Sequence, residues 1–232
     1  ANAQKLPDVV RFILGRLDAA AATVAEQGEL TAAAKERATI VLGTALKLLD
    51  DDFAIDDADI MAIVDDEVAR IVEAQAIVKP DWLGPPESDF MYLDYSRYKV
   101  RGFYTRTDAL TRYFRAVAWL QSIPFRLSHD DELLSILMLG ACVGADGSEA
   151  DDARYAAHRT FFRTYTEFLG VGDDWDLLTA ADAVASGLDF DLDAKRAELI
   201  VQAADGPQIN DQWRYAPEDP NVVAEPNFRI LS

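Results

Sequence analysis

Apolar residues recurring every three to four positions run through the first third of the chain, and that period narrows what it can fold into more than any other feature. Val9, Val10, Ile13, Leu14, Leu17, Ala20, Ala21 and Val24 make one such stripe between Leu6 and about Glu26. A spacing of 3.6 lays these side chains along one face of a helix, whereas a strand would scatter them over both faces. Pro7 is tolerated in the first turn, where its missing N–H has no helical partner. Gly28 is expected to stop this helix. Thr31 is expected to cap a second one, running to about Leu49 with Ile40, Val41, Thr44, Leu48 and several alanines facing inward. The acidic tract 50–52 ends it, and Ile60, Ile63, Val64, Val68, Ile71, Val72 and Ile77 predict a third helix from about Asp56 to Val78. Connections this short make successive helices antiparallel neighbours. The expected fold class is therefore all-α, built from antiparallel helical hairpins or a bundle. No exact repeat is present, although hairpin units of roughly 40–50 residues would suit a helical array.

The run Pro80-Asp81-Trp82-Leu83-Gly84-Pro85-Pro86 breaks the period, and nothing helical follows it before Tyr104. An irregular Tyr- and Arg-rich loop is expected at about 80–104, pinned between helices. Helical spacing resumes from about Thr107 to Gln121, Asp130 to Val143 and Asp151 to Leu169, and more weakly over Thr179–Gly187 and Asp193–Ala204. After Gly206-Pro207, with Pro217, Pro220 and Pro226 in succession, the pattern is that of a loop. The expected organisation is an N-terminal helical region over 1–79 and a second over 80–232, packed together as one domain, the second truncated at its C-terminal end. The opening Ala-Asn-Ala fits a small-x-small cleavage site and equally a leftover linker, and no signal peptide is expected within these residues.

Composition then limits the partners. The 232 residues carry 41 acidic and 22 basic side chains, a formal charge of −19, and half are apolar. So much apolar content supports a globular core and excludes global disorder. No apolar run approaches the ~20 residues of a spanning helix. A surface so acidic does not attract nucleic acid or anionic membrane, because phosphate contacts need Lys and Arg. The charge is uneven, however. Residues 97–126 contain Arg97, Lys99, Arg101, Arg106, Arg112, Arg115 and Arg126 against one acid, Asp108; with Asp94, the segment 94–126 carries +5 and the remainder −24. Tyr92, Tyr95, Tyr98, Phe103, Tyr104, Tyr113, Phe114, Trp119 and Phe125 crowd the same stretch. Two readings stay open. The segment is a binding surface, in which guanidinium groups hold a carboxylate, sulfate or phosphate and aromatic faces hold sugars or cations. Alternatively its arginines pair internally with the acidic remainder, and its aromatics are core.

Other chemistry finds weaker support. Asp189, Asp191 and Asp193 begin like an EF-hand loop, but Ala194 and Ile200 stand where that loop needs Gly and Glu. The clusters at 146–152 and 173–176 are similarly incomplete, and acids before an apolar run are ordinary helix starts; a calcium site from Asp173, Asp174 and Asp176 is the alternative. One cysteine, Cys142, excludes an intramolecular disulfide and, in the apolar run 137–143, is expected to be a buried inert thiol. His129 and His158 are expected at caps or on the surface. There is no Gly-x-Ser-x-Gly elbow, and Gly140 and Gly144 lack the lysine of a phosphate loop. No cofactor and no metal are expected.

The residues Asp94-Tyr95-Ser96-Arg97-Tyr98-Lys99-Val100-Arg101-Gly102-Phe103-Tyr104-Thr105, followed by Leu110, Tyr113-Phe114-Arg115-Ala116 and Trp119, resemble the motifs of the domain of unknown function 3160 family. Further likenesses lie at 168–174 and 227–231, so the resemblance touches most of the chain from about 90 onward. Two positions depart from the family pattern: Val100 replaces its usual Pro, and Phe103 its usual His. Any acid–base work done by that imidazole elsewhere is lost here. The family consists of bacterial and archaeal proteins, commonly exported or lipid-anchored, without established activity, and usually longer than this chain. The resemblance implies an extracytoplasmic location and an N-terminal portion or divergent member. The function expected is a non-catalytic binding or structural module in which Arg97, Lys99, Arg101, Tyr104, Arg112 and Arg115 face an anionic group on a glycan or protein partner. The competing expectation is an extracytoplasmic polysaccharide hydrolase using carboxylates from Asp94, Asp108 or the 173–176 cluster. It requires a cleft with aromatic walls and two carboxyl groups about 5–10 Å apart.

Overall fold

The computed structural model describes residues 2–84, 92–144, 156, 159–163, 175–204 and 227–231. Among them the chain is mostly helical: α1 (Asn2–Thr23), α2 (Glu29–Leu49), α3 (Ala58–Glu73), α4 (Asp108–Ser122), α5 (Asp130–Val143), α6 (Leu177–Ala183) and α7 (Leu192–Ala204), with residues 159–163 also helical. Two of these organise the rest. α2 is buried without interruption from Arg37 to Leu46, and α5 from Glu132 to Gly140. A helix buried all round must be met from several sides, and α2 packs on α1, α3, α4 and α5, while α5 packs on α1, α2 and α6. The single inward stripe expected for α2 is thus too narrow. Its alanines, threonines and Gly43 keep its other faces low enough for neighbours to close in. A Cβ on Gly43 would stand 2.7 Å from Ile55 Cδ1, and one on Gly140 would stand 2.6 Å from the carbonyl carbon of Ala180, so α6 crosses α5 against bare backbone.

Three boundaries differ from the sequence expectation. Thr31 does not cap α2. A 3-10 turn at Ala25–Gln27 and Gly28, at φ +57°, reverse the chain so early that α2 starts at Glu29, and the Thr31 hydroxyl donates to Val24 O at 2.6 Å instead. The third helix ends at Glu73 rather than Val78, because Ala74 takes a left-handed conformation with φ 52°. The β-branched pair that follows forms strand β1 (Ile77–Val78), antiparallel to β2 (Leu93–Asp94). The 227–231 segment, read as loop, enters the core: β4 (Asn227–Phe228) pairs with β3 (Phe125–Arg126), and Phe228, Ile230 and Leu231 are buried. Two-residue strands carry too few positions to show a period.

Start signals elsewhere act as the sequence implies. Asp57 accepts from the backbone N–H groups of Asp59 and Ile60, Thr107 from Leu110, and Asp176 from Thr179. The expected helix over 151–169, apart from 156 and 159–163, lies outside the described residues, as do His158, the acidic run 146–152, Asp173, Asp174 and residues 205–226. No described helix is long and apolar enough to cross a membrane.

Candidate functional site

The irregular connection between α3 and α4 is sorted by a 3-10 turn at Tyr95–Tyr98, in which side chains three apart eclipse. Tyr95 and Tyr98 both turn inward and are 1% exposed, while Ser96 and Arg97 face out. Asp94 caps the turn, accepting from Ser96 N at 3.1 Å and Ser96 Oγ at 2.6 Å. The buried rings form a tilted series, with centroids 5.8 Å apart for Tyr95–Tyr98, 6.3 Å for Tyr98–Trp119 and 6.1 Å for Trp119–Trp82. Trp119 also donates its indole N–H to Val41 O at 2.9 Å, fixing α4 to α2.

Beyond the pinned tyrosines, Lys99 and Arg101 have extended backbone (φ,ψ −66°, 111° and −140°, 158°), so as alternate residues they lie on one side of the chain. That side faces the stripe of α4 carrying Phe114, Ala118, Gln121 and Ser122, at helical spacing. Together with Ser96 and Arg97 they enclose an open cleft of about 510 Å³. Its lining residues include three cations and no carboxyl group. Arg97 Nε lies 3.6 Å from Asp94 Oδ2, a half-exposed pair. The side chains of Lys99 and Arg101 are exposed and have no hydrogen-bond or ion-pair partner among the described residues.

The other expected site residues go elsewhere. Arg112 and Arg115, also on α4, do not line the cleft. Arg112 pairs with Asp51, whose hydrogen bond to that guanidinium holds its carboxyl below the usual carboxylate range. Arg115 Nη2 donates to Val72 O at 3.3 Å, and burial lowers the pKa of its guanidinium; among the described residues its Nε has no hydrogen-bond partner. Tyr104 is half-buried, its ring 5.2 Å from Phe114 and 5.9 Å from Phe103, bridging the cleft to an exposed aromatic. Three of the six expected residues therefore share the cleft, a fourth touches its wall, and two are drawn towards α3 and the turn after α2.

Two buried acid centres hold the surrounding scaffold, and sequence reasoning missed both. Glu67, fully buried on α3, accepts from Tyr95 OH at 2.5 Å, Trp82 Nε1 at 3.2 Å and Arg70 Nη1 at 2.5 Å. Burial raises its pKa above the usual range against the pull of these donors, and raises that of Tyr95 as well. The signal was present, since Glu67 sits in register with Ile60, Val64 and Ile71 on the apolar stripe. Glu132, equally buried, receives Arg126 Nε at 2.9 Å, Arg126 Nη2 at 2.5 Å and the Arg126 backbone N–H at 2.9 Å. Arg37 stands 3.5 Å from Glu132, donates to Asp131 from Nε and Nη2 at 3.2 and 3.1 Å, and lies over the Trp82 ring at 5.9 Å.

The remaining candidates are placed as follows. Cys142 is buried and its thiol is pushed up to about 12, the inert state expected. His129 precedes α5 without a capping hydrogen bond from its ring, and Asp191 Oδ1 accepts from Ala194 N at 2.8 Å at the start of α7. Asp108 lies in the first turn of α4, where a carboxylate suits the helix dipole. Among the described residues no group of three His, Cys, Asp or Glu is placed to hold a metal ion.

Fold and site together define an all-α protein whose irregular connection presents cations over one helix face. The chain belongs to the family described as Protein of unknown function (DUF3160), whose model matches residues 2–219. The match begins in α1, so the likeness extends well before the motifs that start near 90, and it stops short of β4. The chain matches no curated protein and no solved structure.

Proposed function

We propose that the protein is an exported or lipid-anchored binding module that holds an anionic group, on a glycan or a protein, in the cleft between the 96–101 stretch and α4. The observation that carries this reading is the pairing state of the Lys99 and Arg101 side chains, neither of which has a partner among the described residues of this acidic chain. Two cations on one side of an extended stretch suit a carboxylate or sulfate, to which Arg offers parallel N–H donors. Ser96 and Gln121 add neutral hydrogen-bonding groups, and Phe114 and Ala118 an apolar wall. The acidic surround repels anions that fail to fit, so binding here depends on local geometry rather than bulk attraction.

Calorimetric titration of the purified chain with carboxylated and sulfated saccharides and with acidic peptides tests it. The Lys99→Ala/Arg101→Ala double variant should bind at least about tenfold more weakly, since each charge-assisted hydrogen bond contributes about 1.5–3 kcal/mol. Its melting temperature should match the parent's. Equal affinity in parent and variant would overturn the proposal. Release of reducing ends from the saccharides during the titration would favour the hydrolase instead.

A further inference from the structure

We infer that the occupant of this cleft is a chain of acidic sugar units held at two successive subsites, an anion subsite at Lys99 and Arg101 and an aromatic subsite at Phe103. The inference rests on the anion-binding reading above and narrows it to one ligand class. It is carried by the ring contacts that link the cleft wall at Phe114, through Tyr104, to the exposed ring of Phe103. Phe114 lines the cleft beside the cations; Tyr104 follows at 5.2 Å and Phe103 at 5.9 Å. Gly102, in the left-handed region at φ +60°, turns the backbone between Arg101 and Phe103. Phe103 is 57% exposed, and the Arg106 guanidinium lies over one face of its ring at 5.0 Å.

Alternation of cation and ring selects among anionic ligands. A pyranose offers an apolar C–H face to an aromatic ring, and a uronate or sulfated unit offers an acid to the guanidinium beside it. A single small anion fills little of an open cleft of about 510 Å³ and leaves the ring row unused. An acidic peptide has carboxylates for Lys99 and Arg101 but no rigid apolar face for Phe103. A neutral polysaccharide uses the rings and leaves the cations unpaired.

Titration with galacturonate, tri- and hexagalacturonide, and a hexaglutamate peptide separates these cases. Affinity should rise at least about tenfold from the monomer to the hexamer, as the second subsite engages. Phe103→Ala should cut that gain by about fivefold, and Phe103→Trp should retain it. Hexaglutamate should bind less tightly than hexagalacturonide. If hexaglutamate binds equally well and Phe103→Ala leaves the length dependence intact, the sugar-chain inference falls while the anion-binding reading stands. If the Lys99→Ala/Arg101→Ala variant binds every anion as the parent does, both fall.

Discussion

The basic segment contains two kinds of cation that composition alone does not distinguish. Arg126 is 7% exposed and closes with two N–H groups on Glu132, while the side chains of Lys99 and Arg101 stand in solvent without a partner among the described residues. Burial forces the first arrangement, because an ion removed from water without an opposite charge loses several kcal/mol. Nothing forces the second, since a surface cation keeps its hydration. One stretch of sequence thus supplies structural charge where it enters the core and available charge where the tyrosines hold it at the rim. Depth decides which residue belongs to which group.

That contrast is open to direct attack, and the largest effect should come from its buried side. Glu132→Ala leaves Arg126 beside Arg37 without their shared carboxylate and should cost about 3–5 kcal/mol, read from urea denaturation. Replacing Glu132 and Arg126 together by methionine should cost less than Glu132→Ala alone, because no unpaired ion remains at that pair. If the double variant is the weaker, the pair stabilises beyond satisfying its own charges. Next comes Tyr95→Phe, which removes a donor from buried Glu67 and should cost about 1–3 kcal/mol. Glu67 also sets a pH dependence. Its folded pKa is raised, so folding binds a proton in the window above the ordinary value of 4.5, and stability falls as pH rises through that window. Glu67→Gln removes this contribution, and its stability relative to the parent should improve across the same interval. The smallest effect belongs to the rim: Arg101→Ala and Arg112→Ala should leave the denaturation midpoint unchanged. A clear drop for Arg101→Ala would place it among the structural cations and break the contrast.

Much of the helical architecture was legible because α1, α3 and α4 keep a regular apolar stripe, the last two with acids or threonine at their starts. Tyr95 and Tyr98 belong to a motif visible in the sequence, but their inward direction comes from the 3-10 turn, which leaves no period of its own. The basic segment was legible as a whole, whereas its division was not. Arg112 meets Asp51 and Arg126 meets Glu132 through the way α4 and α5 lie, and no local pattern encodes such pairings. Glu67 was readable in principle, as an acid at a core position of an otherwise apolar stripe. The β3–β4 pairing joins segments about a hundred residues apart through two residues each, too short a signal for any spacing rule.

The position of α2 at the meeting point of four helices has a kinetic consequence. Helical proteins tend to fold fast because most of their contacts are close in sequence. Here α2 receives the Trp119 indole from 78 positions along the chain and the Ser135 hydroxyl from 101 positions along, at Ala34 O. Both attachments require large loops to close before the central helix is covered. Refolding should accordingly be slower than for an up-and-down bundle of similar length. Substitutions on the α2 surface that meets α5 should act on the folding rate more than on the rate of unfolding.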